Sequence, residues 1–419
     1  MPVERRRPIL TGSPRTTTNG YHTGRATPLP EAKREEERSS LYLPRKLFPA
    51  LIDNSYAYLN SGGSGPPSSK TIRAIREADD LCSGPAYLEG AGFYAHQGEV
   101  HAQARGAAAR LVNTDPDDLA LTLNTTHGMN LGIFGLEWGE GDEVITSRSE
   151  HPGTLVPLSA LRVRYAVKIK LVEPPVTPEK IEEKMTERTH LVALSHVDWT
   201  TGEILPLEEI CSLARKRGTL TLVDGAQSVG NVPVDIPATS ADMYAFTGHK
   251  WVLGPEGMGA VYIRPGLEIQ STSLGYASLS DPAAFGAKGN YRECLHEGAR
   301  QFEASTMSPA LSAGFAQAAY AAYERGAEGF KEIRRRADLL IDLLGELPQV
   351  AIRSPRPAHS GLVSFEVDGV PPKEAAEKLL TQKLVVRFIP DPYPYVRAST
   401  HLFNTEEELE ALVEAVSRL

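Results

Sequence analysis

Two apolar runs of this chain end on residues that can do chemistry together. Leu222-Val223-Asp224-Gly225-Ala226-Gln227-Ser228 puts an acid directly after an apolar stretch and before a glycine. Phe246-Thr247-Gly248-His249-Lys250-Trp251 puts a lysine at the close of the next stretch, with Gly254-Pro255-Glu256-Gly257-Met258-Gly259 behind it. A lysine at the end of a buried strand is costly unless it reacts or pairs, and the glycines let backbone approach closely. The aspartate can serve a ligand or cap a helix. Three more polar clusters follow apolar runs. In Asn124-Thr125-Thr126-His127, hydroxyls and free N–H groups at a helix start suit a phosphate, and serve equally as a plain N-cap. Glu150-His151-Pro152-Gly153 and Ser195-His196-Val197-Asp198 each offer an imidazole that can stack on a planar ligand, move a proton, or be structural.

These residues need a scaffold that brings them together. From about residue 98, helix-like and strand-like segments alternate. GEVHAQARGAAARLVN reads as a helix, and the runs at 119–126, 142–148, 167–173, 189–197, 219–225, 242–248 and 259–265 read as strands. Leu207–Gly218 carries apolar residues at helical spacing, basic residues in its last turn and a closing glycine, a helix stop. Strands alternating with helices predict an α/β fold with a mostly parallel sheet covered on both faces. Ligands of such sheets bind beyond the carboxyl ends of the strands, where all five clusters fall. The last hundred residues predict a long helix over roughly 309–347, strand-like LVSFEVDG, a helix near 372–380, strand-like LVVRFI and a final helix from Thr405. Together these make a smaller α+β domain.

Asp224 and Lys250 end successive strands, so both can face one crevice. Pyridoxal 5′-phosphate chemistry needs this pair: an amine that condenses with the cofactor aldehyde, and a carboxylate that keeps the pyridine nitrogen protonated. With Asp224-Gly-Ala-Gln-Ser, Thr247-Gly-His-Lys250 and Gly254-Pro-Glu-Gly-Met-Gly259 in this order, the chain resembles the class V aminotransferase family, which includes the cysteine desulfurases. The resemblance runs from about residue 56 to the C-terminus. It implies the fold type I architecture: a seven-stranded, mostly parallel large domain over 66–308 and a small domain made of 46–65 and 309–419; the Arg-, Thr-, Pro- and Glu-rich start, outside the resemblance, predicts a flexible tail over 1–45. The resemblance also implies a homodimer with shared active sites.

The family's roles transfer motif by motif. Lys250 resembles the lysine bound to the cofactor, Asp224 the partner of the ring nitrogen, and Gln227 the hydrogen-bond partner of the ring oxygen. His151 resembles the imidazole stacked on the ring; with Lys250 and Asp224 it makes the expected catalytic set. Thr125, Thr126, Thr247 and His249 resemble phosphate ligands, and Asp198 is placed among the cofactor contacts. Thr306, in Glu303-Ala-Ser-Thr306, resembles the residue that reaches the partner subunit's phosphate. Arg397 resembles the arginine that binds the substrate carboxylate, and Tyr58–Pro66 the segment lining the substrate pocket.

Two departures narrow the activity. No cysteine follows Cys294, whereas persulfide-forming desulfurases carry a nucleophilic cysteine in the small domain. Asp198-Trp199 also stands where desulfurases often have asparagine or serine. Both point to the branch holding cysteine/cystine carbon–sulfur lyases and isopenicillin N epimerase-like enzymes. The expected activity is therefore β-elimination from an α-amino acid. The alternatives are transamination, epimerisation, or a non-catalytic regulator on the same fold.

Composition fits this reading. Of 419 residues, 41% are hydrophobic and 23% charged, with a formal net charge of -9. Such a chain has no built-in attraction for nucleic acid or an anionic membrane. Three cysteines without Cys-x-x-Cys spacing suggest neither disulfides nor a zinc site, so no metal is expected, and a cytoplasmic location is. The first forty residues lack the apolar core of a secretory signal.

Overall fold

The computed structural model describes residues 43–53 and 55–419. The tail expected over 1–45 lies outside the described residues apart from its last three. Of those, Leu43 donates its N–H to Leu402 O at 3.1 Å and Arg45 pairs with Glu408.

Seven strands make the large sheet: β1 (Leu119–Thr122), β2 (Glu143–Ser147), β3 (Lys168–Val172), β4 (Thr189–Ser195), β5 (Leu220–Asp224), β6 (Met243–Thr247) and β7 (Gly259–Ile263). Their spatial order is β1-β7-β6-β5-β4-β2-β3. β7 runs antiparallel to both its neighbours, and the other adjacent pairs are parallel. All seven expected strands form, and the sheet is that of the expected α/β fold type I. What local sequence did not reveal is the reversed direction of β7.

The interior strands carry apolar residues on both faces because both faces are covered. Alternate side chains go to opposite faces. Leu121, Ile145, Val192, Leu194, Val223 and Phe246 enter one core, and Ala120, Val144, Leu191, Leu222, Met243 and Ala245 enter the other. Crossover helices α3 (Thr125–Phe134), α4 (Pro152–Tyr165) and α5 (Leu207–Lys216) connect the strands; α1 (Ser69–Ser83) and α2 (Ala91–Leu111) precede them.

The helix expected over 309–347 is two helices, α6 (Pro309–Glu324) and α7 (Gly326–Gly345). Gly326 has φ +56, a left-handed conformation that ends α6 and that glycine adopts without steric cost. The break lets each half serve a different core. Phe315, Ala318, Ala319 and Ala322 of α6 join the large sheet, whereas Ala337, Leu340, Ile341 and Leu344 of α7 pack in the small domain.

The small sheet is antiparallel, in the order β10-β11-β9-β8, from β8 (Val350–Ile352), β9 (Leu362–Val367), β10 (Arg387–Ile389) and β11 (Tyr395–Ser399). Helices α8 (Pro372–Thr381) and α9 (Glu406–Ser417) cover one face together with α7. Strand alternation then decides what the other face carries. Val396 and Ala398 point into the small core, so Arg397 between them points out, toward the large domain. Residues Ala57–Tyr58 pair with Leu384–Val385, and Asn60 bridges to Ser399. The segment after them is thereby laid across the ends of the large sheet. No helix among the described residues is long and apolar enough to cross a membrane.

Candidate active site

Parallel pairing aligns the carboxyl ends of β4, β5 and β6. Ser195 stands opposite Asp224, Asp224 opposite Ala245, and Thr247 opposite Gly259 on β7. Beyond these ends lies a cavity of about 260 Å³, lined by Asn124, Thr125, Thr126, His151, Trp199, Asp224, Gln227, Thr247, His249, Lys250, Arg387, Arg397 and the glycines 62 and 63, with Ala226. Of the residues to which the resemblance gives individual roles, Asp198 and Thr306 are missing from this wall, as is the His196 imidazole singled out with Asp198. A wider surface groove of about 610 Å³ between α1, α2 and α6 gathers none of them.

The turn after β6 carries Lys250. Gly65 donates its N–H to His249 O at 2.7 Å, and a Cβ on Gly65 would lie 2.1 Å from Lys250 O. Only glycine there lets the N-terminal segment seal the lysine turn. Burial pulls the Lys250 amine down to about 8, with Arg397 and Arg387 adding to the effect and the Asp224 charge opposing it. Part of this amine is therefore unprotonated, and nucleophilic, near neutral pH. Burial raises Asp224, against the Lys250 charge and the Ala226 N–H that donates to Oδ1 at 2.9 Å.

His151 caps α4, its Nδ1 accepting the Gly153 N–H at 3.0 Å. That bond assigns the remaining proton of the neutral ring to Nε2. Burial, with the nearby cations Lys250, Arg387 and Arg397, pulls this imidazole to about 4, so it is neutral near pH 7. Gln227 is held at both ends, accepting from Trp251 Nε1 and donating to Gly62 O, each at 2.8 Å. At the start of α3, Asn124 Oδ1 accepts the His127 N–H at 2.9 Å, which leaves the first N–H groups of the helix open. Thr125 Oγ1 is buried there without a partner, while Thr247 Oγ1 and His249 Nδ1 bond each other at 2.7 Å.

The wall facing the small domain holds Trp199 and two arginines. Arg397 is 1% exposed and gives one Nη1 bond, at 2.6 Å, to Trp199 O, while its Nε is buried and unpartnered. The guanidinium sits 6.0 Å over the Trp199 ring, and that ring meets His151 edge-on at 5.0 Å. Burial, with Arg387 nearby, pulls Arg397 to about 9, which leaves it charged at neutral pH. Arg387 is exposed at the mouth and stands directly opposite Arg397 in the β10–β11 register.

Asp198 does not line the cavity. Its Oδ1 accepts the N–H groups of Thr200 and Thr201 at 2.8 and 2.9 Å, and its Oδ2 accepts Ser149 Oγ at 2.5 Å. The acid builds the turn that presents Trp199. Thr306 is exposed and away from this cavity. Arg387 escaped the sequence reading because LVVRFI is an ordinary strand pattern. Its cue is the cross-strand pairing with Arg397, which exists only once the hairpin is folded.

The donor set fits a small planar ligand carrying an aldehyde, a basic ring nitrogen and a phosphate. The amine and the carboxylate lie on the floor and a neutral flat ring beside them, and an open helix N-terminus with an orphan hydroxyl stands at one end. An unpartnered buried hydroxyl and guanidinium nitrogen are what a bound anion satisfies.

Comparison with known proteins agrees. The family model described as Aminotransferase class-V matches residues 57–412. The isopenicillin N epimerase of Streptomyces clavuligerus is 32% identical over 400 residues, covering 88% of this chain and 96% of that protein. A probable cysteine desulfurase of Methanothermobacter thermautotrophicus is 28% identical over 404 residues, covering 90% and 97%. Among solved structures, a lysine-to-alanine mutant of C-DES, with glycine covalently linked to its PLP cofactor, superposes with a TM-score of 0.83 at 31% identity. It covers 90% of this chain and 99% of that one. C-DES in complex with its reaction product cysteine persulfide, described as a cystine C–S lyase, gives a TM-score of 0.81 at 31% identity, covering 88% and 99%.

Behind Asp224, His196 donates its N–H to Asp224 O at 2.9 Å, and its Nδ1 and the Tyr244 hydroxyl are 2.8 Å apart. Burial pulls this imidazole from 6.5 to about 4. The folded state holds it neutral, while the unfolded chain takes up a proton below its ordinary value. The contribution is therefore full above pH 6.5 and is lost as pH falls toward 4. For a shift of this size the loss is about 3 kcal/mol. Urea unfolding from pH 7 to pH 4 should show His196→Asn losing less stability than the parent protein; identical slopes would refute the assignment.

Proposed function

The chain belongs to the class V aminotransferases and is a pyridoxal phosphate-dependent enzyme; on that premise we propose that it is a carbon–sulfur lyase, removing a sulfur leaving group from Cβ of an α-amino acid by β-elimination. The observation that carries this reading is that no thiol lies at the cavity. Cys211 and Cys294 are buried, Cys82 is half-buried, and none of the three lines the wall. Burial pushes the Cys211 thiol up to about 12, where it is inert. Transfer of sulfur to the enzyme needs a thiolate within reach of the substrate, whereas sulfur that departs with its own substituent needs none. The C-DES relative, a cystine C–S lyase with cysteine persulfide as product, supports the same reading.

Pyridoxal phosphate, when bound, supplies the electron sink that lets the substrate lose its α-proton. Lys250 would hold it covalently, and the Lys250 amine, when free, would take the proton from Cα. Asp224 would hold the ring nitrogen, and His151, uncharged, would pack beside the ring. Gln227 has a second amide N–H for the ring oxygen. The start of α3, with Thr125, Thr126, Thr247 and His249, would hold the phosphate. Arg397 meets the α-carboxylate through Nε and Nη2, because Nη1 is engaged by Trp199 O. Arg387, at the mouth, meets the second carboxylate of a cystine-like substrate. Breaking Cα–H and Cβ–S releases a persulfide, and hydrolysis of the remainder gives pyruvate and ammonia.

In the same reading the active unit is a cytoplasmic homodimer. Glu303 is anchored by Arg105 and by the Leu121 N–H, and the exposed Thr306 beyond it serves the phosphate of the other subunit. The similarity to an epimerase supports one alternative: the proton returns to Cα with no leaving group lost.

Two measurements test the proposal. A variant with Cys82, Cys211 and Cys294 all replaced by alanine should keep most of its activity on cystine and form pyruvate. Alanine together with a protein-bound persulfide in the parent enzyme would reject elimination, and epimerised product without sulfur release would favour the alternative. Arg387→Ala should raise KM for cystine about tenfold while leaving cysteine little changed, because one charged hydrogen bond is worth about 1.5 kcal/mol. Arg397→Ala should weaken both substrates by at least as much. Equal effects of Arg387→Ala on the two would remove it from the distal carboxylate.

A further inference from the structure

Glu150 immediately precedes His151 and is 5% exposed, yet no cation pairs with it among the described residues. Both its oxygens meet one residue. Oε1 accepts the Ser195 N–H at 2.7 Å, and Oε2 lies 2.6 Å from Ser195 Oγ. Ser195 ends β4 directly opposite Asp224, and the next residue, His196, donates its N–H to Asp224 O at 2.9 Å. Glu150 thus ties the loop that carries the His151 ring to the strand end that holds Asp224.

The surroundings of Glu150 are acidic. Asp224 at the end of β5 and Asp198 in the turn after β4 are the charged groups that act on it, and both disfavour its ionisation. A buried carboxylate without a cation, beside two other carboxylates, is strongly disfavoured against its protonated form. A protonated carboxyl has one oxygen that accepts and one O–H that donates. The Ser195 N–H and hydroxyl satisfy both.

We propose that Glu150 is a positioning residue that works as an uncharged carboxylic acid, clamping the end of β4 so that Asp224 is the one negative charge presented to the ring nitrogen. This rests on the assignment of Asp224 to that nitrogen. A second negative charge in the same crevice would compete for the ring proton and for the Lys250 ammonium. Burial pushes Glu150 up to about 8, so the proton stays on at neutral pH and leaves on the alkaline side.

The test uses the purified holoenzyme, with kcat, KM and cofactor absorbance followed from pH 6 to pH 10. Glutamine keeps one acceptor and one donor at the same places and never ionises. Glu150→Gln should keep kcat within about twofold at pH 7 and should lose the alkaline fall of kcat, with no change in KM. Glu150→Ala leaves two buried Ser195 groups unsatisfied and should lower kcat about tenfold or more, again with little change in KM. Ser195→Ala, which breaks the clamp from its other side, should behave in the same way and serves if Glu150→Ala does not fold. If Glu150→Gln falls as far as Glu150→Ala at pH 7, Glu150 acts as an ionised group and the proposal fails. If both Glu150→Ala and Ser195→Ala match the parent enzyme, there is no clamp. Asp224→Asn is the control: if it leaves kcat and the cofactor spectrum unchanged, the fault lies in the assignment of Asp224 and not in that of Glu150.

Discussion

Opposite charges removed from water at the ends of neighbouring strands govern this site. Burial favours the neutral form of Asp224 and of Lys250, and each is held toward its charged form by the other. That balance needs fixed positions, because an uncompensated buried charge costs several kcal/mol. The register of β5 against β6 supplies them. Gly225 permits the close packing behind Asp224: a Cβ there would lie 2.2 Å from the Tyr244 ring. The sheet is thus a rigid mount for two groups that would separate or neutralise in a looser fold.

The second requirement is that the small domain close the same crevice. A parallel sheet offers one open edge to ligands, and here the facing wall comes from the chain's far end. Strand alternation turns Arg397 out of the small core. The Trp199 carbonyl catches one of its nitrogens, and the indole lies beneath its guanidinium. Trp199 in turn gives its indole N–H to Ser149 O at 2.6 Å and meets the His151 ring. Arg397 and the His151 ring are therefore both set by one aromatic side chain. The glycines at 62, 63 and 65 close the third side, where a side chain would collide with Gln227, Asn60 or the Lys250 carbonyl.

Much of this was legible in the sequence because strand ends carry the chemistry. Apolar runs locate the seven strands, and the first polar residue after each run falls at the carboxyl edge. That is why the clusters holding Asp224, Lys250, Thr125 and His151 stood out as candidates, while their individual roles came from the resemblance to the family. Besides the reversed direction of β7, three features were hidden. Gly326 sits in a helical pattern that continues on both sides of it, so its positive φ had no local signal. Asp198 looked like a ligand contact because an acid follows a strand, yet its carboxylate folds back onto Thr200 and Thr201. Arg387 reaches the cavity only through its pairing with Arg397, a contact between residues that only the folded hairpin brings side by side.

If the cavity at the carboxyl ends of β5 and β6 holds pyridoxal phosphate, Lys250 is the lysine that binds it. Borohydride reduction of the purified enzyme, followed by digestion and peptide mass mapping, tests it directly. One modified peptide, carrying the reduced cofactor on Lys250, is expected, with no modification in Lys250→Ala. Reduced cofactor on another lysine, or an undiminished cofactor absorbance in Lys250→Ala, would contradict it.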